Sequence, residues 1–189
     1  MIDYNKKFRL DNKTAYVIGG VGLIGAEVSI AFALAGAKVI ILDIDEKKGI
    51  NLVDELRDLG SEAYFKYFDC SEVKNIESNF SKLIDEFGYP EVFINCSYPR
   101  TKDWSKNSFK ELTSDSFRKN IDIHLNSHSI LVRKVAEELV NNKIKGSLIQ
   151  LGSIYGLLGQ DLNIYKGTEM SENMTYAIIK GGIINLTRQ

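Results

Sequence analysis

With 189 residues, 44% of them hydrophobic and 26% charged, the chain has the size and balance of one globular domain with its own core. A formal net charge of -1 gives no electrostatic case for binding nucleic acid or an anionic membrane. The polar start MIDYNKKFRLDNK holds no secretory apolar segment, and the longest apolar stretch, Val28 to Leu42, is broken by Gly36 and Lys38. Both features argue against a membrane span and for a cytoplasmic protein.

In chain order, TAYVIG, Thr14 to Gly19, is a β-rich run. It opens into GGVGLIG, Gly19 to Gly25, and then an alanine-rich helix that Gly36 would cap. AKVIIL, Ala37 to Leu42, is continuously apolar, as a strand buried on both faces would be, and it ends at Asp43. The next segment reads as an amphipathic helix with Ile50, Val53, Leu56 and Leu59 on one stripe, stopped by Gly60. EAYFKYF, Glu62 to Phe68, is a third strand. A helix follows with Val73, Ile76, Phe80, Leu83 and Phe87 at helical spacing, and then EVFINC, Glu91 to Cys96, as a fourth strand.

After the loop SYPRTKDWSKNS, a long helix aligns Phe117, Ile121, Leu125, His128, Val132, Val135 and Leu139. GSLIQLGS, Gly146 to Ser153, is a fifth strand. A polar stretch runs from Gln160 to Asn173, and a terminal helix begins near Thr175. Strands alternating with helices imply βαβ units, hence an α/β fold with a doubly wound parallel sheet in three layers, α/β/α. No repeat or linker interrupts it, so residues 1–189 read as a single domain.

The cysteines Cys70 and Cys96 lie far apart with no CxxC, and His124 and His128 lack a companion carboxylate motif. Neither a disulfide framework nor a metal site is expected, and the thiols should be free. Gly19, Gly22 and Gly25 stand between a strand and a helix, where a tight turn lets backbone N–H groups and the helix N-terminus approach a pyrophosphate. Leu23 and Ile24 complete that loop. Asp43, 24 residues after Gly19, ends the second strand. A carboxylate there accepts from ribose hydroxyls and repels a 2′-phosphate, which points to NAD rather than NADP.

Several further segments fall in a telling order. FDC, Phe68 to Cys70, follows the third strand; INCSY, Ile94 to Tyr98, the fourth; LGS, Leu151 to Ser153, the fifth; and Tyr176 and Lys180 form a YxxxK. With IGGVGLIG upstream, the chain resembles the short-chain dehydrogenase/reductase family over nearly its whole length. The segment around YPRTKDW and the long loop near the terminal helix are similar to members of bacterial surface-sugar and flagellin-glycan pathways. The resemblance implies a Rossmann fold whose Asp69, with Cys70 beside it, meets the adenine amino group, and whose Asn95 keeps the first position of the family's NNAG segment. It implies that Ser153 holds the substrate oxygen, Tyr176 transfers the proton, and Lys180 both assists it and touches the nicotinamide ribose. Tyr176 and Lys180, four apart on a helix, share a face. An ammonium beside a phenol favours the phenolate, and so suits a tyrosine to acid–base work near neutral pH.

The sequence departs from the family pattern in places. Leu23 replaces a glycine of the nucleotide loop, and the GxxGxxG spacing is like that of the extended branch, which includes nucleotide-sugar epimerases and dehydratases. Ser153 and Tyr176 are 23 residues apart, so GQDLNIYKGTEMSEN should form an active-site loop. His124 stands where the family has a catalytic Asn that acts through its main-chain carbonyl, a group a histidine also supplies. Arg100, Lys102 and Trp104 lie in the loop nearest the expected substrate, where a basic pair would receive a phosphate or carboxylate or else be solvated. Cys96 reads as a small filler.

The expected reaction interconverts an alcohol and a ketone on a small molecule, with a sugar derivative as candidate. An extended-type nucleotide-sugar epimerase or dehydratase and a non-catalytic nucleotide-binding fragment are the alternatives. In the family the sheet continues past the YxxxK helix, so the chain reads as lacking the last strands. The family habit of pairing through its long helix and its YxxxK helix implies a homodimer or homotetramer. Gly181 and Gly182 would let two backbones meet there.

Overall fold

The computed structural model describes residues 4–189. Five parallel strands, β1 (Thr14–Ile18), β2 (Lys38–Asp43), β3 (Ala63–Tyr67), β4 (Val92–Asn95) and β5 (Ser147–Gln150), form one sheet in the order β3-β2-β1-β4-β5. That order reverses beside β1, which is paired with β2 on one side and β4 on the other. In open α/β sheets such a reversal leaves a crevice at the carboxyl ends of the strands.

Alternate residues of β1 feed opposite cores. Ala15 and Val17 pack with Val39 and Ile41 under α1 (Leu23–Leu34) and α2 (Glu46–Asp58). Tyr16 and Ile18 pack with Ile40 and Leu42 under α3 (Ile76–Phe87) and α5 (Ser127–Asn141). Burial on both faces is why these strands read as unbroken apolar runs. Among the described residues, no helix is long and apolar enough to cross a membrane.

Two helical stripes differ from the sequence reading. In α2 the buried face is Gly49, Leu52, Val53 and Leu56, while Ile50 and Leu59 are exposed. Gly49 sits against the ring of Phe65, and its missing side chain lets that face press onto the sheet. The long helix is not continuous α. After α4 (Ser114–Asn120) come six π-helical residues, Ile121–Asn126, and then α5. Ser116, Asn120, His124 and His128 are all buried at steps of four. In an α-helix each such step would drift about 40°; i→i+5 bonding slows the turn and keeps the four on one side. Phe117, Ile121, Leu125 and Val132 are therefore only half-buried.

α6 (Met174–Arg188) lies against the π-helical segment and the turn after β5. Its glycines serve contacts within the chain. Gly181 faces the backbone of Gly156, and a Cβ on Gly182 would lie 2.8 Å from the Leu125 side chain.

The core on the α3 side centres on Phe80, fully buried among Tyr16, Phe68 and Phe93 with ring centroids at 5.6, 6.5 and 6.0 Å. Phe80→Ala is expected to lower unfolding free energy by about 3–5 kcal/mol, read from urea denaturation. A loss under about 1 kcal/mol would mean that this cluster is not the centre of the packing.

Candidate active site

A cavity of about 670 Å³ opens at the carboxyl ends of β1, β2 and β4, where the strand order predicts it. The glycine loop forms one wall. Gly19 and Gly20 donate to Leu42 O at 2.7 and 3.2 Å, and Gly22 N donates to Gly19 O at 3.1 Å. Gly19 has φ +70, and a Cβ there would lie 2.7 Å from Ser97 N, so both conformation and close approach to the segment after β4 require glycine. A Cβ on Gly25 would overlap the Gly19 carbonyl. Gly25, Ser29 and Ala33 form the buried small-residue face of α1, and Ser29 Oγ donates to Gly20 O at 3.1 Å. This face draws the start of α1 onto the loop.

The first intrahelical bond of α1 is Ala26 N to Gly22 O at 2.9 Å, and no side chain caps the helix. Among the described residues, no acceptor takes the N–H groups of Leu23, Ile24 or Gly25. Free N–H groups and the helix dipole together favour an anion. Leu23 and Ile24 line the cavity, and Gly25 lies behind them.

At the end of β2, Asp43 also lines the cavity. Its Oδ2 accepts from Val21 N at 3.1 Å, and its Oδ1 from Ile44 N at 2.8 Å and Asp45 N at 3.2 Å. The carboxylate thus ties the glycine loop to the neighbouring strand end. Asp69 lines the same side, its Oδ1 accepting from Ser71 N at 2.8 Å, with Cys70 next to it. Burial pushes the thiols of Cys70 and Cys96 up to about 11, so both stay protonated fillers at neutral pH.

The opposite end of the cavity is built on α6. Its cap, Asn173, accepts from Tyr176 N at 2.7 Å, and its Nδ2 donates to Trp104 O at 3.0 Å. Met174 N donates to Asn107 O at 2.9 Å, and Thr175 Oγ1 to Asn107 Oδ1 at 2.6 Å. Asn107 Nδ2 reaches Ser116 Oγ at 3.0 Å on α4. Asn107, Ser116 and Thr175 are buried, and they lock the start of α6 to the loop after β4. Sequence reading missed them, because a polar residue in a loop (Asn107) or on a helix (Ser116, Thr175) carries no apolar periodicity to mark it as buried.

Tyr176 and Lys180 both line the cavity. Lys180 is 5% exposed, its Nζ donates to Leu151 O at 2.7 Å, and it stands 5.7 Å from the Tyr176 ring centroid. Burial lowers its pKa. Ser153 lies one residue beyond the wall residues Leu151 and Gly152, its Oγ accepting from Tyr155 N at 3.2 Å. Tyr98 holds a central place: its ring meets Trp104 at 5.6 Å, His124 at 5.1 Å and Tyr176 at 6.0 Å. Burial and the nearby Tyr176 push its phenol up to about 12. Trp104 thus touches the cluster, whereas Lys102 is exposed and off the cavity wall.

Behind this wall lies a buried polar chain. Asn95 Oδ1 accepts from Ser97 N at 3.0 Å and Ser97 Oγ at 2.6 Å. Ser97 Oγ also lies 3.3 Å from His128 Nε2, and across the ring His128 Nδ1 lies 3.2 Å from Gln150 Oε1. A neutral imidazole donates from one nitrogen and accepts at the other, so the ring can join both side chains. His124 is fully buried, neither ring nitrogen meets a hydrogen-bond partner in good geometry among the described residues, and its carbonyl accepts from Ser127 Oγ at 2.9 Å. Of the sequence-selected residues, Gly19, Gly22, Leu23, Ile24, Asp43, Asp69, Cys70, Tyr176 and Lys180 share the cavity. Gly25, Asn95, His124 and Ser153 support it from outside its wall.

Residues 13–189 match the family described as short chain dehydrogenase. The chain is 26% identical over 178 residues to post-translational flagellin modification protein A of Campylobacter coli, covering 94% of this chain and 69% of that one. It is 25% identical to galactitol 2-dehydrogenase of Agrobacterium fabrum, covering 93% and 68%. In fold it is similar to a gluconate 5-dehydrogenase from Burkholderia cenocepacia, solved with NADP and tartrate: TM-score 0.82, 22% identity, 98% of this chain and 67% of that one. The chain spans between 63% and 69% of the length of the first curated relatives it matches.

The two imidazoles make stability pH-dependent. Burial, then the neighbouring His128 and Lys180, lowers His124 from 6.5 to about 2; burial, then Lys180, lowers His128 to about 4. The unfolded chain therefore binds more protons below pH 6.5. Stability is complete above that pH and falls as pH drops toward about 4 for His128 and about 2 for His124. Each imidazole adds a slope of about 1.4 kcal/mol per pH unit. Urea denaturation of wild type and His124→Leu between pH 8 and 5 should show the variant's slope smaller by one proton's worth. Equal slopes would mean that His124 titrates alike in both states.

Proposed function

Because the chain belongs to the short-chain dehydrogenase family, we propose that its cavity binds NAD in preference to NADP and interconverts an alcohol and a ketone on a sugar-derived substrate. One observation carries this reading: a single cavity is lined at one end by the glycine loop, Asp43 and Asp69 and at the other by Tyr176 and Lys180. The residues fit a dinucleotide. The uncapped start of α1 supplies N–H donors for a diphosphate. Asp43 offers acceptors for ribose hydroxyls and negative charge against a 2′-phosphate. Asp69 is available to the adenine amino group. Arg100 and Lys180 are the cations on the wall, and neither follows β2, where a 2′-phosphate would need one.

The nicotinamide, when bound, takes or gives the hydride. The chain's own part is proton transfer and orientation. In oxidation Tyr176 accepts the substrate hydroxyl proton at its phenolic oxygen, and in reduction it returns that proton. The Lys180 ammonium, fixed by Leu151 O, stabilises negative charge that develops on that oxygen. Ser153 holds the reacting oxygen by a hydrogen bond. His124 contributes its main-chain carbonyl, with Asn95 and Gly25 shaping the two walls from behind. A sugar-derived substrate accords with the relatives named for galactitol and flagellin modification. The same reading pairs the chain with a second copy in the cytoplasm through the half-buried Phe117, Ile121, Leu125 and Val132 and the exposed Ile178.

Calorimetric titration should give tighter binding for NAD than for NADP, and Asp43→Ala should weaken NAD and narrow the gap. Equal affinities in the wild type would sink the role given to Asp43. Tyr176→Phe should lower hydride-transfer turnover by about 10²–10⁴ while NAD affinity holds. Retention of most activity would place the proton donor elsewhere.

A further inference from the structure

Arg100 lines the cavity, and its guanidinium carbon stands 5.6 Å from the centroid of the Tyr98 ring. The same ring meets Tyr176 at 6.0 Å and lies 5.8 Å from Lys180 Nζ. A guanidinium and the proton-transferring phenol therefore flank one aromatic side chain. Among the described residues, no carboxylate forms an ion pair with Arg100. The carboxylates of the wall, Asp43 and Asp69, belong to the β2 and β3 ends. Lys180, the other cation on the wall, is spent on Leu151 O and nearly sealed from solvent.

The backbone around Arg100 is held. Pro99 locks its own φ and keeps Tyr98 extended. On the other side Thr101 N donates to Asn120 Oδ1 at 3.0 Å, and Asn120 Nδ2 donates to Thr101 Oγ1 at 2.8 Å. Asn120 is itself fully buried on α4. A planar fork of donors, stacked on an aromatic face and carried by a fixed backbone, recognises a pair of anionic oxygens.

We propose that Arg100, lying over the Tyr98 ring, binds an anionic group of the substrate, so that the site takes an acidic sugar derivative bearing a carboxylate or a phosphate rather than a neutral polyol. This rests on the oxidoreductase reading above, which supplies the hydride and proton chemistry. Arg100 acts as a specificity-determining residue, with Tyr98 as its platform.

The test uses tartrate and inorganic phosphate as probes, titrated by calorimetry into the NAD-loaded protein; whichever binds identifies the anion as carboxylate or phosphate. Arg100→Gln should raise the Kd of the bound probe by at least about tenfold, Arg100→Lys should recover part of it, and NAD affinity should hold. In turnover, Arg100→Gln should lower the ratio of kcat/KM for gluconate to kcat/KM for galactitol. Neither probe binding the wild type, or binding it independently of residue 100, overturns the proposal. So does a parallel loss of NAD affinity, which would assign Arg100 to the cofactor's phosphates. Hydride transfer to NAD, followed by NADH absorbance, separates the two readings. Turnover with no Arg100-dependent anion preference defeats this inference alone. Arg100-dependent probe binding with no turnover of any polyol or acid defeats the oxidoreductase reading and leaves the anion site standing.

Discussion

Among the described residues no carboxylate pairs with the buried ammonium of Lys180, and much of the surrounding structure answers to that. Taking a cation out of water is costly unless polar groups receive it. Here the Leu151 carbonyl accepts one hydrogen bond at 2.7 Å, and two aromatic faces, Tyr98 and Tyr176, lie within 5.8 Å. Ring faces attract a cation without neutralising it. The charge stays available to the phenol beside it, which a carboxylate partner would have quenched. Burial correspondingly lowers the Lys180 pKa.

The same charge governs the histidines. The His124 and His128 ring centroids lie 4.9 Å apart with the planes tilted by 43°, and both are held neutral by burial, with Lys180 among the causes. Lys180 keeps its charge at the cavity wall, and the two imidazoles behind it give up theirs. Neutral imidazole can accept as well as donate, and that lets His128 bridge Ser97 and Gln150 between β4 and β5. The two rings lie four residues apart, His124 in the π-helical segment and His128 at the start of α5, and so share one face.

At the other end, close backbone approach does the organising. Glycines at 19 and 25 let the loop, the start of α1 and the segment after β4 come within contact distance. Asp43 holds this loop through Val21 N while keeping its carboxylate on the cavity. One acid thus supports the loop's shape and keeps a negative charge on the cavity wall.

The α/β class, the parallel sheet, the glycine loop and the position of Tyr176 with Lys180 were legible in the sequence. These features rest on local rules: unbroken apolar runs mark strands buried on both faces, glycine is favoured at a φ of +70 such as that of Gly19, and a four-residue step keeps two side chains on one helical face. Tertiary structure decided the rest. His128, Val135 and Leu139 of the sequence stripe are buried, but before them six π-helical residues that periodicity does not announce shift the phase, so Ser116, Asn120 and His124 are buried while Phe117, Ile121 and Leu125 are only half-buried. Gly181 and Gly182 turned out to serve Gly156 and Leu125 of the same chain. The anchoring of α6 by Asn107 joins residues 68 positions apart. The meeting of Tyr98, Arg100 and Tyr176 likewise needs a loop and a helix brought together by contacts distant in sequence. A linear chain encodes which residues prefer to be buried or turned. Which of them meet is settled by the packing of elements that sequence spacing leaves independent.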